Sequence, residues 1–163
     1  MKGKGSTLPH VLIADSKPCG KLNPTVEGIS MADSTPRSIV YIEDDHEMID
    51  LVSLILSRRG YQVYGSPGGR QGLELATKIL PDLILLDLMM PDMDGWDVFH
   101  QLKANPNTQN IPIIVITAKS LAIDRVLGIH IAKVDDYISK PFHPQELQDS
   151  IEKVLNAHAA KSG

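Results

Sequence analysis

Five short apolar runs, separated by stretches of helical periodicity, constrain this 163-residue chain more than any other feature. Residues 39–42, 83–86 and 111–116 are almost wholly apolar, the pattern of strands buried on both faces. A second strand is expected over residues 61–64 and a short fifth one around 137–138. Between them, Ile49, Val52, Ile55 and Leu56 mark one helical face, and Leu73, Ala76, Ile79 and Leu80 a second. Val98, Phe99 and Leu102 mark a third, and Leu147, Ile151, Val154 and Leu155 the last. One more helix is expected over about 121–132. The punctuation agrees: Asp45 is placed to cap the first helix, Gly60 follows its end, Pro81 stops the second, and Pro144 suits the first turn of the last. Five strand–helix alternations imply a parallel sheet covered on both faces, with a ligand crevice at the carboxyl ends of its strands.

The polar residues at those ends therefore matter most. The first strand ends in Glu43 and Asp44, the third in Asp87, the fourth in Thr117 and the fifth in Lys140. Each alone has an ordinary explanation: a helix cap, a β-former, a solvated lysine. Together they place three carboxylates, a hydroxyl and an ammonium at one edge. Three converging carboxylates repel one another and need a positive partner. Every candidate ligand is oxygen, which suits a hard divalent cation, magnesium above all at a phosphate-handling site. A carboxylate nucleophile, a metal, a lysine and a hydroxyl are the parts needed for phosphoryl transfer to Asp.

Composition removes other classes. No run reaches the roughly 20 apolar residues that a membrane span requires. Cys19 stands alone, so neither a disulfide framework nor a cysteine metal site forms within the chain, as expected of a reduced, cytoplasmic domain. Residues 1–37 hold five basic and three acidic residues, and the remainder eleven and seventeen, a net of −6 that disfavours direct nucleic-acid binding. Prolines and glycines leave residues 1–37 without a sustained period. They are expected to be a flexible extension, a tag or a gene-start artefact, since Met31 would also serve as a start. The domain proper is expected over 38–158, with 159–163 as a tail too short for an effector.

Four motifs in order carry a family resemblance: Ile-Glu-Asp-Asp at 42–45, Leu-Leu-Asp-Leu-Met-Met-Pro-Asp-Met-Asp-Gly at 85–95, Ile-Thr-Ala at 116–118, and Asp-Asp-Tyr-Ile-Ser-Lys-Pro-Phe at 135–142. Over roughly 38–157 the chain resembles the response-regulator receiver domains of two-component signalling, in their stand-alone form. The resemblance implies a three-layer α/β/α, flavodoxin-like fold with a five-stranded parallel sheet in the order 2-1-3-4-5. It implies that Asp87 accepts a phosphoryl group from a phosphohistidine on a sensor histidine kinase or histidine phosphotransfer protein. Magnesium, or manganese as a substitute, would be held by Asp44, Asp87 and the Met89 backbone carbonyl, and by Glu43 through water, with Asp45 outside that shell. Thr117 would bond the phosphoryl group and Lys140 would pair with it, the Lys140–Pro141 bond being cis. Tyr137 would be the aromatic switch that follows Thr117. The output would be a protein-binding face made from the fourth helix, fifth strand and last helix, with no membrane or direct nucleic-acid contact.

This makes the chain a phosphoacceptor signalling domain rather than an enzyme, assisting only its own phosphorylation and dephosphorylation. Three alternatives remain: a non-phosphorylated scaffold, a receiver fragment of a hybrid kinase or multidomain regulator, and an aspartyl-phosphate phosphatase. The phosphatase is disfavoured because Met89 stands where a general acid is needed. A calcium loop starting at Asp92 fails because Lys103 occupies its twelfth position. One departure from the family is Ala132-Lys133-Val134, where glycine is common. Lysine at a site needing positive φ costs on the order of 1 kcal/mol.

Overall fold

The computed structural model describes residues 35–118 and 133–163. Most of the expected extension and the helix expected at about 121–132 lie outside the described residues. Thr35–Gly163 form one compact unit. Its strands are β1 (Ser38–Ile42), β2 (Gln62–Ser66), β3 (Leu83–Leu86), β4 (Ile113–Thr117) and β5 (Asp136–Ser139). Its described helices are α1 (His46–Ser57), α2 (Gly69–Ile79), α3 (Gly95–Ala104) and α4 (Pro144–Ser162). All strand pairs are parallel and the order is β2-β1-β3-β4-β5, the doubly wound, flavodoxin-like arrangement.

Period-two alternation sorts the strand side chains into two cores. Ile39, Tyr41, Leu83, Leu85, Ile114, Ile116 and Ile138 pack with Val52 and Leu56 of α1 and Leu147 and Ile151 of α4. Val40, Ile42, Ile84, Leu86, Ile113, Val115 and Tyr137 pack on the opposite face with Ala76 of α2 and Val98, Phe99 and Leu102 of α3. Because both faces are covered, the interiors of the central strands β1, β3 and β4 are apolar except for the Tyr41 hydroxyl.

Some boundaries differ from the sequence reading, for local reasons. β4 begins after Pro112, which has no N–H to give the ladder, although its carbonyl accepts from the Ile84 amide at 3.0 Å. β2 runs to Ser66 rather than stopping at Tyr64, because its pairing with β1 continues through Gly65 and Ser66. The residues expected as a tail are helical: α4 continues through Ala157, Ala159 and Ala160 to Ser162, carried by strong helix formers. Asp136 on β5 ties α4 down, accepting from Ser150 Oγ at 2.7 Å and Lys153 Nζ at 3.3 Å.

Caps come from near and far. Asp45 caps α1, accepting from the Glu47 and Met48 amides, and Asp94 caps α3 through the Trp96 amide. α2 begins at Gly68, which has no capping side chain. Asp92, from the loop after β3, takes that role and accepts from the Gly69 and Arg70 amides at 3.2 and 3.3 Å. Burial raises the Asp92 carboxyl, but the main-chain donors together outweigh it, so the carboxyl is held below the usual range.

Lys133 has φ +62°, the left-handed conformation expected at that position. A β-carbon is disfavoured there, and glycine is not. Lys133→Gly is accordingly expected to stabilise the fold by about 0.5 kcal/mol, the relieved strain of about 1 kcal/mol being partly offset by the greater unfolded-state entropy of glycine. Urea unfolding with a midpoint at or below that of the parent would refute this.

Candidate functional site

Strand register places the site's side chains before any of them makes a contact. Ile42 pairs with Leu86, so Glu43 and Asp87 leave neighbouring strands at the same level. Main-chain bonds hold them there: the Asp87 amide donates to the Ile42 carbonyl at 3.0 Å, and the Glu43 amide to Ser66, also at 3.0 Å. On the far side the Lys140 amide donates to the Thr117 carbonyl at 2.9 Å. The crevice is thus the continuation of the ladder, at the point where β1 turns its two edges to β2 and β3.

Strand parity then decides which groups meet. Glu43, Asp87 and Lys140 follow Tyr41, Leu85 and Ile138 by two residues, and those three belong to the α1/α4 core. Lys140 Nζ lies 2.5 Å from Glu43 Oε2 and 3.3 Å from Asp87 Oδ2. Glu43 and Asp87 are only 1% and 4% exposed, so this ammonium bridges two nearly buried carboxylates. Asp87 Oδ1 accepts from the Met89 amide at 3.0 Å, and Glu43 Oε1 from the Asp45 amide at 3.2 Å. The Lys140–Pro141 bond is cis. Thr117 and Tyr137 have the other parity: both are buried, and Val115 pairs with Tyr137 while Thr117 pairs with Ser139.

One contact was not anticipated. Tyr41, fully buried on β1, donates its hydroxyl to Glu43 Oε2 at 2.9 Å. A tyrosine two residues before an acid on a strand puts both on one face, so the spacing carried a signal. The Asp45 carboxylate is committed to the α1 cap, and only the Asp45 amide reaches the site, on Glu43 Oε1.

The electrostatics follow from burial. Desolvation raises the Glu43 carboxyl and the Asp87 charge adds to it, against the opposing bonds from Lys140 and Tyr41. Burial alone would lower the Lys140 ammonium, but the hydrogen bond to Glu43 and the charges of Asp87 and Glu43 outweigh it, and it stays above the usual lysine range. Burial first, then the Glu43 charge, pushes the Tyr41 phenol far up, so it remains a donor.

Glu43, exposed Asp44 and Asp87 each bring a carboxylate oxygen to within 4.8 Å of the others. Against them stands Lys140, which leaves an excess of two negative charges in the crevice. An all-oxygen donor set with that excess fits a divalent hard cation.

Comparison with known proteins agrees with this geometry. The family model for the response regulator receiver domain matches residues 39–152. The DNA-binding dual master transcriptional regulator RpaA of Synechocystis is 38% identical over 117 residues, which are 72% of this chain and 48% of that protein. The chain thus spans about half the length of that relative. A CheY-like response regulator receiver domain protein from Methanospirillum hungatei superposes with a TM-score of 0.70 at 27% identity, covering 79% of this chain and all of that one (100%). The signal receiver domain of a signal transduction histidine kinase from Syntrophus aciditrophicus gives 0.67 at 30% identity, over 74% of this chain and 91% of that one. Strand order, the polar strand ends and a family match through most of the folded unit lead to one conclusion, that the chain belongs to the family of response regulator receiver domains.

Proposed function

We propose that this chain accepts a phosphoryl group on Asp87 from a phosphohistidine of a sensor histidine kinase or histidine phosphotransfer protein, and that this changes a protein-binding surface. The observation that carries the reading is the Lys140 ammonium lying between Glu43 and Asp87 in a nearly buried crevice. In the transfer, an Asp87 carboxylate oxygen forms a bond to phosphorus as the phosphorus–nitrogen bond breaks, and the bonding electrons leave on the imidazole. Lys140 meets the incoming phosphoryl oxygens with positive charge, and the Thr117 hydroxyl donates to one of them. The Met89 amide, on Asp87 Oδ1, fixes the carboxylate's orientation. Asp44, Asp87 and the Met89 carbonyl, with Glu43 through water, would hold magnesium or manganese, which when bound neutralises charge on the phosphoryl group.

Receivers are signalling domains rather than classical enzymes, and the proposed output runs through protein contact. The net −6 of residues 38–163 supports protein partners over nucleic acid. RpaA is named as DNA-binding, but the match covers only 48% of it. Among the described residues no helix is long and apolar enough to cross a membrane. We place the signalling surface on β5, α4 and the helix expected at about 121–132, with Thr117 and Tyr137 as the coupled switch and the cytoplasm as the compartment. The receiver itself is placed at 38–158.

Incubation with acetyl phosphate and magnesium, followed by intact-mass measurement, tests the acceptor. The parent chain is expected to gain one phosphoryl group and Asp87→Ala none. Undiminished uptake by Asp87→Ala would overturn the assignment.

A further inference from the structure

We propose that Tyr41 is a positioning residue of this site, its hydroxyl holding the Glu43 carboxylate so that Lys140 can leave it for a phosphoryl group on Asp87. The inference rests on the function proposed above and adds a residue that no motif of the chain assigns.

Tyr41 is fully buried, and its ring belongs to the core between the sheet and helices α1 and α4. A phenylalanine would fill that ring space equally well. What the hydroxyl adds is one hydrogen bond, and it goes to the site: Glu43 Oε2 at 2.9 Å. A buried phenol needs a partner, and so does a buried carboxylate.

Glu43 Oε2 receives two donors of different mobility. Tyr41 is fixed by a packed ring on the second strand of the sheet order. Lys140 reaches in on a flexible stem and is already shared with Asp87 Oδ2 at 3.3 Å. Adding a phosphoryl group to Asp87 increases the negative charge on that side and draws the ammonium across. Glu43, 1% exposed, would then lose its cation while buried, a costly state for a carboxylate. Tyr41 stays behind, together with the Asp45 amide on Oε1 at 3.2 Å, and keeps both oxygens bonded.

A double-mutant cycle isolates this role. Tyr41→Phe keeps the ring, and Glu43→Asp keeps the charge on a side chain one methylene shorter, out of reach of the hydroxyl. Magnesium affinity by calorimetry and the acetyl phosphate reaction rate at saturating magnesium are measured for the parent, both single variants and the double variant. In the parent background Tyr41→Phe is expected to slow phosphorylation and weaken magnesium binding by up to about tenfold. In the Glu43→Asp background the same substitution is expected to change neither. In the metal-free parent, proton NMR should show a slowly exchanging phenolic proton that disappears in Tyr41→Phe and moves in Glu43→Asp. Equal losses in both backgrounds, no loss in either, or no such proton would overturn the role of Tyr41. A parent chain that neither binds magnesium nor takes up phosphate would instead overturn the reading of the site on which the role depends.

Discussion

Lys140→Met is expected to destabilise the metal-free protein at neutral pH by about 3 kcal/mol, because it leaves Glu43 and Asp87 buried beside each other without a cation. Methionine keeps most of the stem, so lost packing is a minor part of the effect. Two conditions should reverse the loss. Magnesium supplies the missing positive charge, so it should raise the melting temperature of the variant more than that of the parent. Acid should do the same through Glu43, whose carboxyl is already raised by burial and by the Asp87 charge and loses its strongest opposing partner in the variant. An acid raised in the folded state binds its proton more readily folded than unfolded. Its penalty is therefore full above the folded value, shrinks as pH falls through it, and is gone below the unfolded glutamate value of about 4.3. Urea unfolding at neutral and mildly acidic pH, with and without magnesium, checks each arm. A variant as stable as the parent in metal-free neutral buffer would show that the Lys140 bridge does not neutralise the crevice. The variant should still accept a phosphoryl group slowly, while NMR of Tyr137 shows no response to it.

The parts of this molecule that could be read from sequence are those set by one strand or one helix at a time. Apolar runs mark β1, β3 and β4, because burial on both faces leaves no alternation to confuse them. Asp45 before α1 and Pro144 opening α4 could be placed because caps and first turns are local. The left-handed Lys133 follows from the family resemblance, which has glycine commonly at this place, and not from any local signal. What escaped depends on approach between segments. Asp92 caps a helix 22 to 23 residues upstream, and nothing near Asp92 names that helix; the only hint is that Gly68 offers α2 no capping side chain. The pairing of Lys140 with Glu43 joins residues 97 apart, and it is the strand order that brings them together. In the sequence, Tyr41 reads as one more apolar residue of the first strand. Its ring behaves that way, while its hydroxyl, one strand period below Glu43, belongs to the site.

Gly95→Ala is expected to cost about 3 kcal/mol, at the upper end for overpacking, and to disturb the site without touching a site side chain. A β-carbon at Gly95 would lie 2.3 Å from the Leu88 Cα and 2.5 Å from the Asp87 carbonyl oxygen. Both are main-chain atoms, so no rotamer change can relieve the clash. The first turn of α3 or the strand end carrying Asp87 has to move. The Gly95 amide also donates to the Leu88 carbonyl at 3.0 Å, closing the loop that runs from Asp87 through the methionines to the Asp94 cap. Opening that closure should release the Met89 amide from Asp87 Oδ1, and with it the orientation of the carboxylate. Amide exchange at Met89 should therefore accelerate, and magnesium affinity and phosphoryl uptake should fall together with the melting temperature. An alanine variant with parental stability and a protected Met89 amide would mean that the loop absorbs the methyl group elsewhere. The close approach of helix to strand at Gly95 makes the start of α3 a structural support of Asp87, so substitutions in this loop should act on the acceptor even where the side chain changed faces solvent.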